Sequence, residues 1–210
     1  MKPKTFHFFI VLIAYLLLLS IGCTTHEPSK GEGLITHPTG IFKTYKTTVR
    51  NYSLNIPSDW EAKEYPSTGM FKAVAAINNI AGKDIAYRQN ITIEPVPVST
   101  VFNLSVQDRD SLPVFDINTF TQWFFEDLQL KTTDYKLIEI GETLINGKHA
   151  AQYIYSFNNP QEFAGELKAI SFLYMYNREV MVVTCVESIK KFQKAQKKFE
   201  YMAQSINHSN

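Results

Sequence analysis

Cysteine is nearly absent from this 210-residue chain. Cys23 and Cys185 are the only two, which excludes a disulfide-stapled scaffold and zinc sites built on C-x-x-C pairs. Histidine is scarce as well, and of its five copies only His149 falls inside the stretch that reads as the folded body. There is no H-E-x-x-H run, no G-x-S-x-G elbow and no phosphate-cradling glycine loop, so the common hydrolase and nucleotide signatures are missing. Charge of one sign is lacking too. With 21 basic and 20 acidic residues the chain stands at +1, which removes the electrostatic ground for binding nucleic acid. What remains is 13% aromatic and 20% charged, the composition of a packed body and not of a disordered one.

The stretch from Phe8 to Cys23 has a different character. Lys2 and Lys4 precede an apolar run that includes four consecutive leucines, followed by Ser20-Ile21-Gly22-Cys23. The run is too short for a comfortable membrane span, which needs about 20 residues, but it suits the roughly 7 to 15 of a secretory core. Leu19-Ser20-Ile21-Gly22-Cys23 resembles the lipobox of bacterial lipoprotein precursors, with Ser20 where leucine is commonest and the small Gly22 directly before the cysteine. The resemblance implies cleavage after residue 22, a diacylglycerol on the Cys23 sulfur and a further acyl chain, of the palmitate type, on the new amine. Two or more chains give stable anchoring, at about 0.8 kcal/mol per buried methylene. Lys2 and Lys4 would leave with the signal, taking the formal charge from +1 to −1. The expected organisation is a signal peptide over residues 1–22, a lipidated start and flexible linker over 23–43, and one α+β domain over 44–207. The tether from Thr24 to Thr39 is rich in Gly, Pro, Ser and charge, and its ends should average about 20 to 25 Å apart. His26 and His37 lie within it as plain linker residues.

Along the body, alternation predicts strands near 44–50 and 52–56, with Tyr52, Leu54 and Ile56 on one face and Trp60 folding back over the strand end. Further strands are expected over 71–77 and 87–94, the latter ended by Pro95 and Pro97. Residues 98–115 show no period and read as either a binding loop or a locally disordered one. Asp116 is a good N-cap for a helix carrying Phe120, Trp123, Phe124 and Leu128 as an apolar stripe. A strand over 136–142, the Asn146-Gly147 hairpin turn, and strands over 149–157, 167–176 and 179–186 follow. The last of these is apolar on both faces and should be central. Residues 188–206 form a closing helix with Ile189, Phe192, Phe199, Met202 and Ile206 inward. Lys190, Lys191, Lys194, Lys197 and Lys198 occupy its remainder.

Chemistry-bearing candidates are few. His149 reads as a strand-end side chain, Asp108 and Asp110 as solvated loop carboxylates beside Arg109, and Cys185 as a small hydrophobe within an apolar strand. No catalytic residue, cofactor site or metal site is expected. The order of elements, with Tyr52 to Trp60, Ile145-Asn146-Gly147-Lys148 with Ala150, and Phe199 to Ile206, resembles the PsbP-like fold. That fold is shared by an extrinsic photosystem subunit, a nuclear Ran-binding relative and bacterial lipoproteins of the DcrB and LpqN type. It implies an antiparallel sheet flanked by helices, as an α/β/α sandwich, and no shared catalytic centre. The expected function is a non-enzymatic binding or assembly module of the bacterial cell envelope. Cys23 would anchor it to the outer membrane or to the periplasmic face of the inner one. Its contacts with a protein partner would come from residues 98–115 and exposed edge strands. The alternative is a carrier of a small apolar ligand among Tyr153, Tyr155, Phe157, Phe172, Tyr174 and Tyr176.

Overall fold

The strand-and-turn grammar of the sequence produces two antiparallel sheets. The structure, a computed structural model, describes residues 34–76, 87–101, 116–159, 163 and 165–209. Cys23, His26, Asp108 and Asp110 lie outside them, as do residues 102–115. The larger sheet has seven strands: β4 (Trp60–Tyr65), β5 (Met70–Ala75), β6 (Asn90–Pro97), β10 (Glu179–Ser188), β9 (Glu166–Tyr176), β8 (Lys148–Asn158) and β7 (Thr133–Ile145), in that spatial order. The smaller one orders β1 (Leu34–His37), β2 (Gly40–Lys46), β3 (Tyr52–Pro57) and β11 (Asn207–His208). Three helices complete the described elements: α1 (Val98–Val101), α2 (Ile117–Lys131) and α3 (Ile189–Gln204).

β10 is the middle strand of seven, as its two-faced apolar sequence requires. Val180, Val182 and Val186 join the core under α1 and α2, while Met181, Val183 and Cys185 join the core beneath the small sheet and α3. On the first face Phe120, Phe124 and Leu128 of α2 are buried, and Phe124 stacks on Tyr153 at 5.1 Å. Asp116 starts that helix as expected. Its carboxylate accepts from the backbone N–H of Asn118 and Thr119 and from the Thr119 hydroxyl, which hold its pKa below the usual carboxylate value. On the second face α3 buries Phe192, Ala195, Phe199, Met202 and Ala203, so it is the closing helix, with Lys190, Lys191, Lys194 and Lys197 in solvent. Lys198 instead folds inward over the Trp60 ring and donates to Gln89, whose amide in turn donates to the buried Glu187 carboxylate.

Several expectations need correction. The small sheet shares one face with α3, so the layering is richer in sheet than a plain α/β/α sandwich. Residues 34–37 and 40–43, assigned to tether and linker, form a hairpin. His37 secures it by stacking on Tyr201 of α3 at 3.9 Å. The strand expected over 44–50 ends at Lys46, and 60–65 pairs with β5 as a strand in its own right. Pro95 does not end β6, whose last residue is Pro97. Its pairing with β5 stops at Ile93, so the later residues have a ladder partner only in β10 and the prolines need no donor toward β5.

Candidate functional site

Two surface features of this frame stand out, an open sheet edge and a cleft. The first is β7, which among the described residues has a neighbour only on its β8 side. Register shifts between Thr133 and Lys136 and between Leu137 and Glu139 leave Ile138 as an extra residue, and such bulges twist an edge away from would-be partners. From Glu139 to Ile145 the register runs regularly, so that stretch presents an unbroken row of outward backbone groups. Apolar side chains accompany it. Ile140 is 45% exposed and Leu144 54%, both on the face that carries Tyr153 and Ala151, and Ile138 is 48% exposed at the bulge.

The second feature is a cleft of about 370 Å³ where the two sheets part beside the β9–β10 turn. Its floor and walls come from Tyr176, Glu179 and Met181 of the large sheet, from Pro97, and from Tyr52 and His208 of the small one. Arg50 closes one side, its guanidinium bonded to both Glu179 oxygens at 2.7 and 2.8 Å. Arg178 stands at the rim. His208 is stacked on Tyr176 at 3.5 Å and its Nε2 meets the Tyr174 hydroxyl at 2.9 Å. Burial, with Lys148 adding a nearby positive charge, pulls its pKa down to about 4, so the ring is neutral at pH 7. Two buried polar atoms here have no hydrogen-bond partner, Tyr52 Oη and His208 Nδ1. Burial also raises the Tyr52 phenol pKa, keeping it protonated.

The residues singled out in the sequence fall elsewhere. His149 is exposed at the start of β8, its Nδ1 3.9 Å from the Glu142 carboxylate. Cys185 is fully buried and its thiol pKa is raised by burial, so it serves as packing. Val98 and Val101, the described start of the 98–115 stretch, are helical and buried against α2. Of the six aromatics, Tyr153, Tyr155 and Phe157 fill the core under α2, Phe172 and Tyr174 fill the opposite core, and only Tyr176 lines the cleft. No group of three or more potential metal ligands occurs among the described residues. Sequence reading missed Arg50, Arg178 and His208 as site residues. The one available signal was the Asn177-Arg178 turn, where arginine occupies a position that usually goes to glycine.

No protein-family model matches the sequence, and no curated protein is a significant sequence relative. Solved structures do match. The yeast Ran-binding protein Mog1p superposes with a TM-score of 0.52 at 12% identity, over 79% of this chain and 94% of its own. Cyanobacterial PsbP (CyanoP) from Synechocystis gives 0.50 at 13% identity, over 83% and 98%. The fold is PsbP-like. LpqN of Mycobacterium tuberculosis, described as involved in cell envelope biogenesis, superposes more loosely, at 0.49 and 10% identity over 84% and 90%. At such identities the PsbP-like frame is shared without any site coming with it.

Proposed function

We propose that this chain is a non-enzymatic binding or assembly module of the bacterial envelope. In this reading it is tethered to a membrane through lipidated Cys23 and receives an extended segment of a protein partner along β7. The observation that carries the reading is the regular stretch from Glu139 to Ile145, with Ile140 and Leu144 exposed on one face, on an edge strand of 13 residues. A strand added there would take its affinity from main-chain hydrogen bonds and its selectivity from side chains meeting Ile140 and Leu144. The tight packing of five of the six strand aromatics favours this over an apolar-ligand carrier, whose pocket those residues would have lined.

The test is a photo-crosslinking residue placed at Ile140, with a control at Glu61 on the opposite edge, in cells expressing the full chain. One discrete protein adduct from the β7 position and none from β4 is the expected result. Equal labelling from both edges, or none from either, overturns the contact assignment. Cys23→Ser addresses the anchor separately: retention at the membrane and precursor processing should both be lost, and their persistence would sink the lipoprotein reading.

A further inference from the structure

Helix α3 departs in two ways from what helix stability alone would select. Lys190 and Lys191 stand in its first turn, where the positive end of the helix dipole favours acids, and no acid is present there. The Ser188 side chain makes no capping hydrogen bond to offset this. Lys190, Lys194 and Lys197 then recur at i, i+4 and i+7, so like charges line one outward stripe and repel. All four lysines are exposed, and none makes a hydrogen bond or ion pair among the described residues.

The nearby acids are already held. Glu187 is buried, its carboxylate accepting from Gln89 and from the Ser188 hydroxyl and N–H, and Glu200 accepts from Gln196 one turn back. Other elements mix both signs: α2 carries Glu126, Asp127 and Lys131, β4 carries Glu61, Lys63 and Glu64, and β7 carries Lys136, Glu139 and Glu142. In a chain whose basic and acidic residues nearly balance, a face of one sign is a local concentration of charge.

The same stripe marks where the chain arrives from its N-terminal side. Tyr201 continues it four residues after Lys197, and the Tyr201 ring is stacked on His37 at 3.9 Å. Lys190 to Tyr201 spans about 16 Å along the helix. Leu34, the first residue of β1, is three residues from His37, about 10 Å along the strand. Ten residues separate Leu34 from Cys23, a piece of chain that reaches at most about 40 Å. A lipid on Cys23 therefore keeps the lysine stripe within reach of the headgroups to which the chain is fastened.

We propose that the lysine stripe of α3 docks on a bilayer surface rich in anionic phospholipid, its ammonium groups on the headgroup phosphates. The choice of a membrane over an acidic protein rests on the lipid anchor proposed above, which supplies that surface at high local concentration. The β7 edge plays no part in it. Each lysine near an anionic surface contributes about fivefold in partitioning, so anchor and stripe together fix which side of the body faces the lipid.

The test incorporates the full-length protein into vesicles of phosphatidylcholine alone or mixed equally with phosphatidylglycerol, then acetylates its amines with a reagent that does not cross bilayers. Mass spectrometry should show Lys190, Lys194 and Lys197 modified several-fold more slowly on the anionic vesicles, with Lys131 and Lys136 unchanged. The difference should fade as salt rises. Lys190→Glu places an acid in the first turn and pairs it with Lys194, so the melting temperature should hold or rise. Protection of Lys197 on anionic vesicles should meanwhile drop at least about fivefold. Equal labelling on the two vesicle types, protection of Lys131 and Lys136 in place of the stripe, or undiminished protection in Lys190→Glu overturns the proposal. Flotation with the neutral vesicles judges the anchor separately: its failure sinks lipidated Cys23, while the labelling pattern on anionic vesicles still decides the stripe.

Discussion

The two edges of the seven-stranded sheet are guarded very differently. β4 is six residues long and carries Glu61, Lys63 and Glu64. The Lys43 ammonium donates to the Ser58 and Trp60 carbonyls at 3.1 and 3.0 Å, and the Glu64 carboxylate accepts from the Thr48 and Val49 N–H groups and from the Tyr45 hydroxyl. Short length, charge and capping are the devices by which proteins keep an edge from templating another chain. β7 is more than twice as long; its first half is bulged, and its regular second half carries Glu139 and Glu142 but, among the described residues, no capping by other segments of the kind that holds β4. One sheet thus closes itself on one side and stays open on the other. The contrast separates residues that serve stability from residues free to serve contact.

The comparison can be broken most sharply at Trp60, which is 3% exposed at the root of β4. Trp60→Ala should cost about 3 to 5 kcal/mol by chemical denaturation, and a cost below about 1 kcal/mol would mean that the guarded side is not anchored as described. Acid should reverse the ranking of the two sides. His208 pairs with Tyr52 across β11 and β3 and has a folded pKa lowered to about 4, with Lys148, Arg50 and Arg178 nearby. The unfolded chain binds that proton near pH 6.5 and the folded one does not, so stability is full above that value and declines as pH falls toward 4. The decline should be on the order of 2 kcal/mol. Hydrogen exchange at pH 4.5 should show β3 and β11 losing protection while the β7–β8 hairpin retains it. His208→Gln should flatten that dependence.

Smaller effects sharpen the picture on the open side. Gly147→Ala, at φ 72°, should cost about 1 kcal/mol through the hairpin turn. Leu144→Lys should change stability by no more than about 0.5 kcal/mol while abolishing the adduct formed from the crosslinking residue at position 140. A large loss of stability from Leu144→Lys would show that the strand is packed after all.

Much of the large sheet was legible because its central strands are long apolar runs, continuous where both faces are covered as in β10, and its hairpin uses Asn146-Gly147, a local code. The Asp116 cap and most of the α3 stripe were legible from local pattern too, but Ile189, expected inward, is 39% exposed in the first turn. β4 was not, since charges at Glu61, Lys63 and Glu64 erase the apolar period that a buried strand would show. β11 spans two residues and has no period at all. Asn90 is polar in a half-buried strand, yet it is buried and donates to the Tyr87 hydroxyl at 2.7 Å, a pairing that the strand's period does not announce. The cleft was the least legible feature. Arg50, Tyr176, Arg178 and His208 come from separate segments, and no spacing announces that the two sheets will bring them together.

The pairing of Asn207 with Ser53 has a temporal meaning. A ribosome delivers the second partner about 150 residues after the first, so the small sheet stays unfinished until that stretch has been made. Loop closure across that separation is slow, and until it happens the faces of Tyr52, Leu54 and Ile56 remain uncovered on the β11 side. The β7–β8 and β9–β10 hairpins, each closed by a two-residue turn, can thus pair well before that lock is made.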